Sequence, residues 1–490
     1  MSHSNNLGDL IDLSKDLSKT AIIDVSTDYR YSFQLVHNLA NAVANGLQAK
    51  GYQPRDRIAI IAENSIDFVV TYLGILKLGA VAVLINVKLP PTQMQGILDD
   101  SNTKLIFTDT DIETSLPIIN FKKDFRDFLI NEDFTSYPAS DEVAIIMYTS
   151  GSTGVFKGVA ITHNNHKWII NKKAQWVYAP QLRKLIAAPL YHMNGLSNLE
   201  MGLAGYGTTI LMPKFESKQF VISIRKYRVN YISSVPTMIA SMMNETELLG
   251  QLDLSSLAVI STASAPLSPT LVEKIKATLP WVKIRNNYGT TELGPGLFGG
   301  HPLWSQDRPD ELAIPELSVG YPIEGIECRL INGVLQIKSP AMMANYTNAE
   351  NKQMTDDGFF ITNDIFEVDE NGFYFFKGRA DDMFKSGGNT IFPAQIELVL
   401  ESHPLIASAA IIGVEDDIKG IKPYAFVVLK KDAFTSSQTS GELRQFVATK
   451  FPLSHCPREI WFLEEMPVNS VNKLDKVKLL STAKRLLYKT

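Results

Sequence analysis

At 490 residues the chain is too long for one compact core, which points to two or three domains, and 45% apolar with 20% charged residues is ordinary for a globular protein. Forty-seven basic against 52 acidic residues give a net charge of −5, which disfavours a general nucleic-acid binder. The two cysteines, Cys328 and Cys456, lie far apart with no histidine cluster beside either, which argues against a zinc site or a disulfide framework. Neither a signal-peptide pattern at Met1 to Asn6 nor an 18-residue uncharged apolar run is found, so a soluble, cytoplasmic protein without a transmembrane segment is expected.

From Arg57 onward strands and helices alternate. Ile58 to Ile61 reads as a strand, Ile66 to Leu78 as a helix, Val81 to Ile85 as a strand, Thr92 to Asp100 as a helix and Leu105 to Phe107 as a strand. Unbroken apolar strands separated by helices argue for α/β layers around a parallel or mixed sheet. Asn131 to Asp141 is polar and reads as a connection, and Val143 to Met147 is again a buried strand. The rhythm continues with a helix from Asn164 to Tyr178, strands at Leu185 to Ala187 and Thr209 to Leu211, and helices at Ser217 to Tyr227 and Pro236 to Met243. A strand at Leu257 to Ile260 precedes a helix at Ser268 to Thr278, where Ser268 caps ahead of Pro269.

Near residue 290 the texture changes. Arg329 to Ile337 places two apolar arms around Asn332-Gly333, a hairpin signal, and Phe366 to Phe376 folds likewise around Asp369 to Gly372. From Pro393 the order is helix, strand, strand, helix, strand, enough for a separate α+β domain. The expected architecture is α/β: a large N-terminal domain of layered α/β sheets with a β-rich subdomain, 1–380, and a small mobile C-terminal α+β domain, 381–490, hinged near Gly378 to Asp382.

Five segments carry chemistry. The first, Tyr148-Thr149-Ser150-Gly151-Ser152-Thr153-Gly154-Val155-Phe156-Lys157-Gly158, follows a strand with three glycines, four hydroxyls and a lysine. Backbone N–H groups, hydroxyls and an ammonium can converge there on an anion; a flexible surface turn is the other reading. It is not a Walker A loop, because Phe156 and Gly158 flank Lys157 where glycine and Ser/Thr are required. The second, Asn286 to Glu292, sits after a strand, where open α/β sheets bind ligands, and offers a ring, hydroxyls and a carboxylate able to hold Mg²⁺. The third is Pro189 to Gly195, with His192 either a pocket wall or a base. The fourth joins Thr362-Asn363-Asp364 to Lys377 through Gly388, and the fifth is Pro467 to Lys476.

In this order the five segments resemble the adenylate-forming superfamily of acyl- and aryl-CoA synthetases, luciferases and adenylation domains, over nearly the whole chain. The first matches Y-T-S-G-[ST]-T-G-x-P-K-G except that Phe156 replaces proline. Tyr288 to Glu292 matches Y-G-x-T-E, and Thr262 to Leu267 is similar to S-G-x-A-P-L with Ala263 at the glycine. Gly378 through Gly388, with Ile391 to Glu397, is close to the hinge and thioester-forming segment. Pro467 to Lys476 resembles P-x-x-x-x-G-K with Asn472 at the glycine.

The resemblance implies that a carboxylate attacks the α-phosphorus of Mg·ATP and that a thiol, CoA, then displaces AMP. It gives Lys473, Glu292, Thr149 and His192 catalytic places, with Glu292 on Mg²⁺ and Lys473 bridging carboxylate, ribose and α-phosphate. Thr149, Ser150, Gly151, Ser152, Thr153, Gly154 and Lys157 would hold pyrophosphate; Thr290 and Thr291 would face the phosphates. Tyr288, Asn287, Gly289, Ser264, Ala265 and Pro266 would flank adenine, and Asp364 and Arg379 would take the ribose. Asp381 would be the pivot that exchanges Lys473 for Ser386, Gly387 and Gly388, with Arg458 near CoA.

His192 stands where amino-acid-activating relatives keep an aspartate, so a fatty or aryl acid is expected, against apolar walls at Met193, Tyr231, Val235 and Met238. A carrier-protein phosphopantetheine is the alternative acceptor, since Ser454 to Arg458 lacks the Tyr-Lys-x-Pro lysine. A non-catalytic nucleotide- or acyl-binding relative is the reading from another class, and the oligomeric state is left open.

Overall fold

A computed structural model describes residues 5–150, 156–177, 181–300, 313–348, 353–386, 389–416, 420–430, 433, 438–467 and 474–487. Two seven-stranded sheets dominate the N-terminal domain. In one the spatial order is Lys283–Asn286, Val259–Thr262, Tyr231–Ser234, Arg183–Ile186, Thr208–Leu211, Thr20–Asp24 and Arg30–Ser32. In the other it is Asn345–Tyr346, Phe156–Thr162, Val143–Ser150, Val81–Leu84, Arg57–Ile61, Leu105–Thr108 and Ile118–Asn120. Each is parallel through its centre and carries antiparallel strands at one edge.

Side-chain alternation explains the layering. Ile58 and Ile60 of one sheet and Ile22, Ile186 and Leu211 of the other point into one shared core, filled by helices Phe33–Ala49, Ile66–Lys77, His163–Val177 and Met193–Ala204. Alternate residues face outward: Ala59, Ile61 and Val83 onto the helix Pro91–Asp100, and Leu185, Ile210 and Ile232 onto the helices Ser217–Lys226, Pro236–Met243 and Pro269–Thr278. The N-terminal domain is therefore five layers, with strands buried on both faces.

Beyond it, Glu327–Ile331, Val334–Lys338, Phe360–Val368 and Tyr374–Arg379 form an antiparallel sheet. Asn332 and Gly333 take φ of 51° and 79°, the doubly left-handed turn that the Asn-Gly pair favours. In the C-terminal domain, Ile406–Asp416, Gly420–Leu429 and Ile460–Leu463 pack helices Pro393–Glu401 and Thr439–Ala448 on one face and Lys476–Leu487 on the other. Ser268 accepts from the Leu271 N–H at 3.2 Å, the expected cap. The strand expected from Leu257 starts later, at Val259, because Trp281 Nε1 takes the Leu257 carbonyl at 3.1 Å. Among the described residues no helix is long and apolar enough to cross a membrane.

Candidate active site

The first segment is a hairpin rather than a strand that ends in a loop. Val143–Ser150 runs on through Tyr148, Thr149 and Ser150, and the chain returns antiparallel on Phe156–Thr162, with Thr149 opposite Lys157 and Ser150 opposite Phe156. Gly151, Ser152, Thr153 and Gly154 lie outside the described residues. Tyr148 donates to Asp100, the last residue of the helix Pro91–Asp100, and Thr347 Oγ1 donates to the same carboxylate oxygen at 3.1 Å. Burial, then the Asp100 bond, pushes the Tyr148 phenol well above its ordinary pKa, so it stays a donor. A Cβ on Gly158 would fall 2.2 Å from Thr347 Oγ1, so this close approach requires glycine.

Lys157 and Glu292 meet on one ring that the sequence reading missed. The Lys157 ammonium lies 5.2 Å from the Tyr346 ring centroid, and the Tyr346 hydroxyl stands 3.2 Å from Glu292 Oε1. Tyr346 is buried at the sheet edge, where the strand Asn345–Tyr346 pairs with Val159 and Ala160. The expected phosphate-loop cation and the candidate metal carboxylate are thus drawn to one place by a residue of neither motif. A tyrosine thirteen residues past Gly333 of the Asn-Gly hairpin carries no local signal, because its partner strand is almost two hundred residues away.

The second segment leaves the strand Lys283–Asn286 with its turns fixed. The Asn287 side chain donates to Ser261 Oγ at 2.6 Å, and its N–H to the Thr262 carbonyl at 2.8 Å. A Cβ on Gly289 would meet the Gly294 carbonyl oxygen at 2.6 Å, so Tyr288 to Gly296 doubles back over glycine. Ser264, Ala265 and Pro266 form an exposed edge nearby, with Ser264 at φ 70°, a left-handed conformation that costs on the order of 1 kcal/mol for a residue with a Cβ.

A hydrogen-bonded series then links this segment to the domain junction. Tyr288 donates to Asp364 Oδ2 at 2.5 Å; Arg379 donates to Asp364 Oδ1 at 3.0 Å and to Asp381 at 3.1 Å. Asp364 and Arg379 are cross-strand partners because the register between Phe360–Val368 and Tyr374–Arg379 shifts at Ile365/Phe366. Asp364 is buried, which pushes its carboxyl pKa up, while Arg379 and the Tyr288 bond pull it back. The Tyr288 phenol is pushed well above its ordinary range, first by burial and then by the Asp364 charge. Its ring packs edge-on to Phe298 and Phe366.

His192 is the residue before the helix Met193–Ala204, half-buried, with its ring edge-on to Tyr191 at 4.8 Å. Asn64 holds this turn from the other sheet: its Nδ2 donates to the Ala188 and Met212 carbonyls at 3.0 Å each, and its Oδ1 accepts from Leu190 at 2.8 Å. The helix itself is anchored in the shared core by Glu200, which lies 2.7 Å from His166 Nε2 and accepts from Tyr72 at 2.5 Å. Sequence reading found the His192 turn but not the helix, whose two glycines and two asparagines are poor helix formers.

In the C-terminal domain, Lys473, Gly387 and Gly388 lie outside the described residues. What can be placed are their flanks. The Asp475 N–H donates to the Pro467 carbonyl at 2.8 Å, tying the two ends of the fifth segment, and Lys476 donates to Asp382 at 2.8 Å. Ser386 is buried and Arg458 exposed; among the described residues no hydrogen bond or ion pair joins either side chain to the Tyr288–Asp364–Arg379 group.

No cluster of three or more His, Cys, Asp or Glu that could hold a metal occurs among the described residues. Glu292, a single carboxylate beside hydroxyls, still suits Mg²⁺, which keeps several waters and takes the rest of its oxygens from phosphates.

The AMP-binding enzyme family model matches residues 13–346, and that for the AMP-binding enzyme C-terminal domain matches residues 395–473. A 2-succinylbenzoate–CoA ligase of Bacillus subtilis is 29% identical over 469 residues, 94% of each chain. The long-chain-fatty-acid–CoA ligase FadD13 of Mycobacterium tuberculosis is 28% identical, again over 94% of each. Among solved structures, the anthranilate CoA ligase AuaEII in complex with anthranoyl-AMP superposes with a TM-score of 0.88 at 25% identity, covering 99% of both chains.

Proposed function

Because this chain belongs to the AMP-binding enzyme family, we propose that it activates a fatty or aryl carboxylic acid with ATP and transfers the acyl group to CoA. In the first step a carboxylate oxygen attacks the α-phosphorus, the bond to the bridging oxygen of the β-phosphate breaks, and acyl-AMP and pyrophosphate form. In the second the CoA thiolate attacks the acyl carbon, the acyl–phosphate oxygen bond breaks, and AMP leaves. Both steps need charge held in place more than they need covalent catalysis.

The observation that carries the assignment of residues is the Tyr288–Asp364–Arg379–Asp381 series, which ties the adenine-side segment to the domain junction. On our reading Tyr288, Asn287, Gly289, Ser264, Ala265 and Pro266 flank the base, and Asp364 with Arg379 offers an acceptor and donors to the ribose. Thr149, Ser150 and Lys157, with Gly151 to Gly154, hold the departing pyrophosphate, while Thr290 and Thr291 face the phosphates. Mg²⁺, when bound, neutralises phosphate charge, and Glu292 is the carboxylate we assign to it. His192 bounds the acid and Lys473 brings the mobile cation. Asp381 is the pivot between domains 1–380 and 381–490, and Ser386 to Gly388 and Arg458 serve the thiol. Two free cysteines fit a cytoplasmic setting.

An adenylation screen over fatty, aryl and amino acids tests this reading, with pyrophosphate release and thioester on CoA or on a holo carrier protein as readouts. Acyl-CoA from a fatty or aryl acid is the expected product. Exchange with amino acids alone would overturn the substrate class, thioester on the carrier alone would overturn CoA as acceptor, and ATP binding without any acyl-AMP would leave a binding protein.

A further inference from the structure

The helix Met193–Ala204 packs on the strands Arg183–Ile186, Thr208–Leu211 and Tyr231–Ser234. An interface between a helix and a parallel sheet is ordinarily apolar, yet here the facing side chains include Lys184, Asn194, Asn198 and Ser233. Lys184 is 1% exposed. Its ammonium donates to Asn198 Oδ1 at 3.1 Å and lies 4.9 Å from the Tyr231 ring centroid. Asn198 Nδ2 donates to Asn194 Oδ1 at 2.9 Å and to Ser233 Oγ at 3.0 Å. The remaining donor of this group, Asn194 Nδ2, is buried with no acceptor among the described residues.

The backbone carbonyls of Asn194 and Asn198 accept from Asn198 Nδ2 at 2.8 Å and from Lys184 at 3.5 Å, and Asn194 Oδ1 accepts from Ser233 at 3.3 Å, so the donor this group leaves over is the Asn194 amide. Among the described residues no carboxylate pairs with Lys184. Burying an ammonium without a counter-charge is costly, and burial lowers the Lys184 pKa to about 7. A methionine or leucine would fill the same space at no such cost. The uncommitted donor belongs to Asn194, two residues beyond His192, so the polar group runs from the floor of the sheet to the wall that bounds the acid.

Building on the acid–CoA ligase reading, we propose that Lys184 and Asn194 form the far wall of the acid pocket, and that the acid carries a second acceptor group, a carboxylate or carbonyl, remote from the carboxylate that is activated. Tyr231, expected as an apolar wall, is then the ring against which the Lys184 ammonium is held. An incoming carboxylate supplies the negative charge Lys184 lacks and the acceptor Asn194 lacks, and a plain hydrocarbon tail leaves both unmet. A site with buried donors rejects a ligand that cannot pair with them far more strongly than an apolar pocket rejects a ligand of the wrong length.

The test compares straight-chain dicarboxylic and oxo acids, together with 2-succinylbenzoate, against monocarboxylic acids of matched length. Pyrophosphate release and acyl-CoA formation are read in the wild type, Lys184→Met and Asn194→Leu. Methionine keeps the stem of the lysine and removes the charge, a kind of replacement that buried sites often accept, and the asparagine variant tests the same wall from the helix. The wild type should prefer the acids with a second acceptor, and that preference in kcat/KM should fall on the order of a hundredfold in each variant, mainly through KM. A wild type that activates monocarboxylic acids as well or better, with a ratio unmoved by both substitutions, overturns the proposal and leaves the ligase reading standing. No pyrophosphate release from any acid in either series would instead sink the ligase reading, and this one with it.

Discussion

Two regions of the molecule bury carboxylates, and they do so for different ends. In the N-terminal domain Asp364 is met by a phenol from one segment and a guanidinium from another, and the guanidinium also holds the junction residue Asp381. In the C-terminal domain the helix Pro393–Glu401 turns Glu397 and Glu401 onto backbone N–H groups of the adjoining strand, Ile411 at 2.8 Å and Ala409 at 3.2 Å. Burial pushes the pKa of all three upward, that of Glu401 to about 7. The kind of partner separates them: side chains that can be exchanged for a ligand at Asp364, backbone that cannot at Glu401. On the proposed reading, then, Asp364 is a site carboxylate and Glu401 a structural one.

The largest effect should come from the cation assigned to the mobile domain. Lys473→Ala is expected to lower the rate of acyl-AMP formation by roughly a thousandfold while the protein still folds, as removal of one preorganised charge-stabilising donor does. Unaltered pyrophosphate release would place the decisive charge in the N-terminal region instead, with Lys157.

The structural character of the C-terminal pair is tested by pH. A carboxyl held above its unfolded value favours the folded state while protonated, so the stability tied to Glu401 is fully present below the ordinary glutamate pKa of 4.5 and is lost as pH rises to about 7. The loss should reach roughly 3 kcal/mol, and Glu401→Gln should flatten it in denaturant titrations taken across that window. A wild-type profile already flat there would mean that Glu401 carries no such strain. Activity at saturating substrates should follow only the folded fraction.

Asp364→Asn should act the other way round. It keeps the size of the group and an acceptor but removes the charge that Arg379 faces, and it should raise KM for ATP by about tenfold with little change in melting temperature. Equal losses for ATP and for stability would make Asp364 another structural carboxylate and collapse the contrast.

Much of this was legible because it is local. Apolar runs such as Val81 to Ile85, the Asn332-Gly333 turn and the Ser268 cap are fixed by residues a few positions apart. The motif segments were legible as a set, since their order along the chain carries the resemblance. What was not legible depends on distant pairing. Thr20–Asp24 is a short strand settled by its partner Thr208–Leu211, Tyr346 acquires meaning only beside Glu292 and Lys157, and the bulge at Ile365 decides that Asp364 faces Arg379. Lys184 is a related case: it sits just ahead of a hydrophobic run, and nothing in that run announces that Asn198 will meet it.

The bond from the Asp475 N–H to the Pro467 carbonyl has a bearing on how the assigned cation would be delivered. Pro467 and Asp475 are pinned together, and the Lys476–Asp382 ion pair fastens that base beside Asp381, the proposed pivot. On the proposed reading of Lys473 as the cation, a base pinned in this way would carry its ammonium wherever the domain goes, at high effective concentration there and almost none elsewhere. Turning the domain would then act as dosing: one orientation supplies the cation to the nucleotide, and another withdraws it without any step of release.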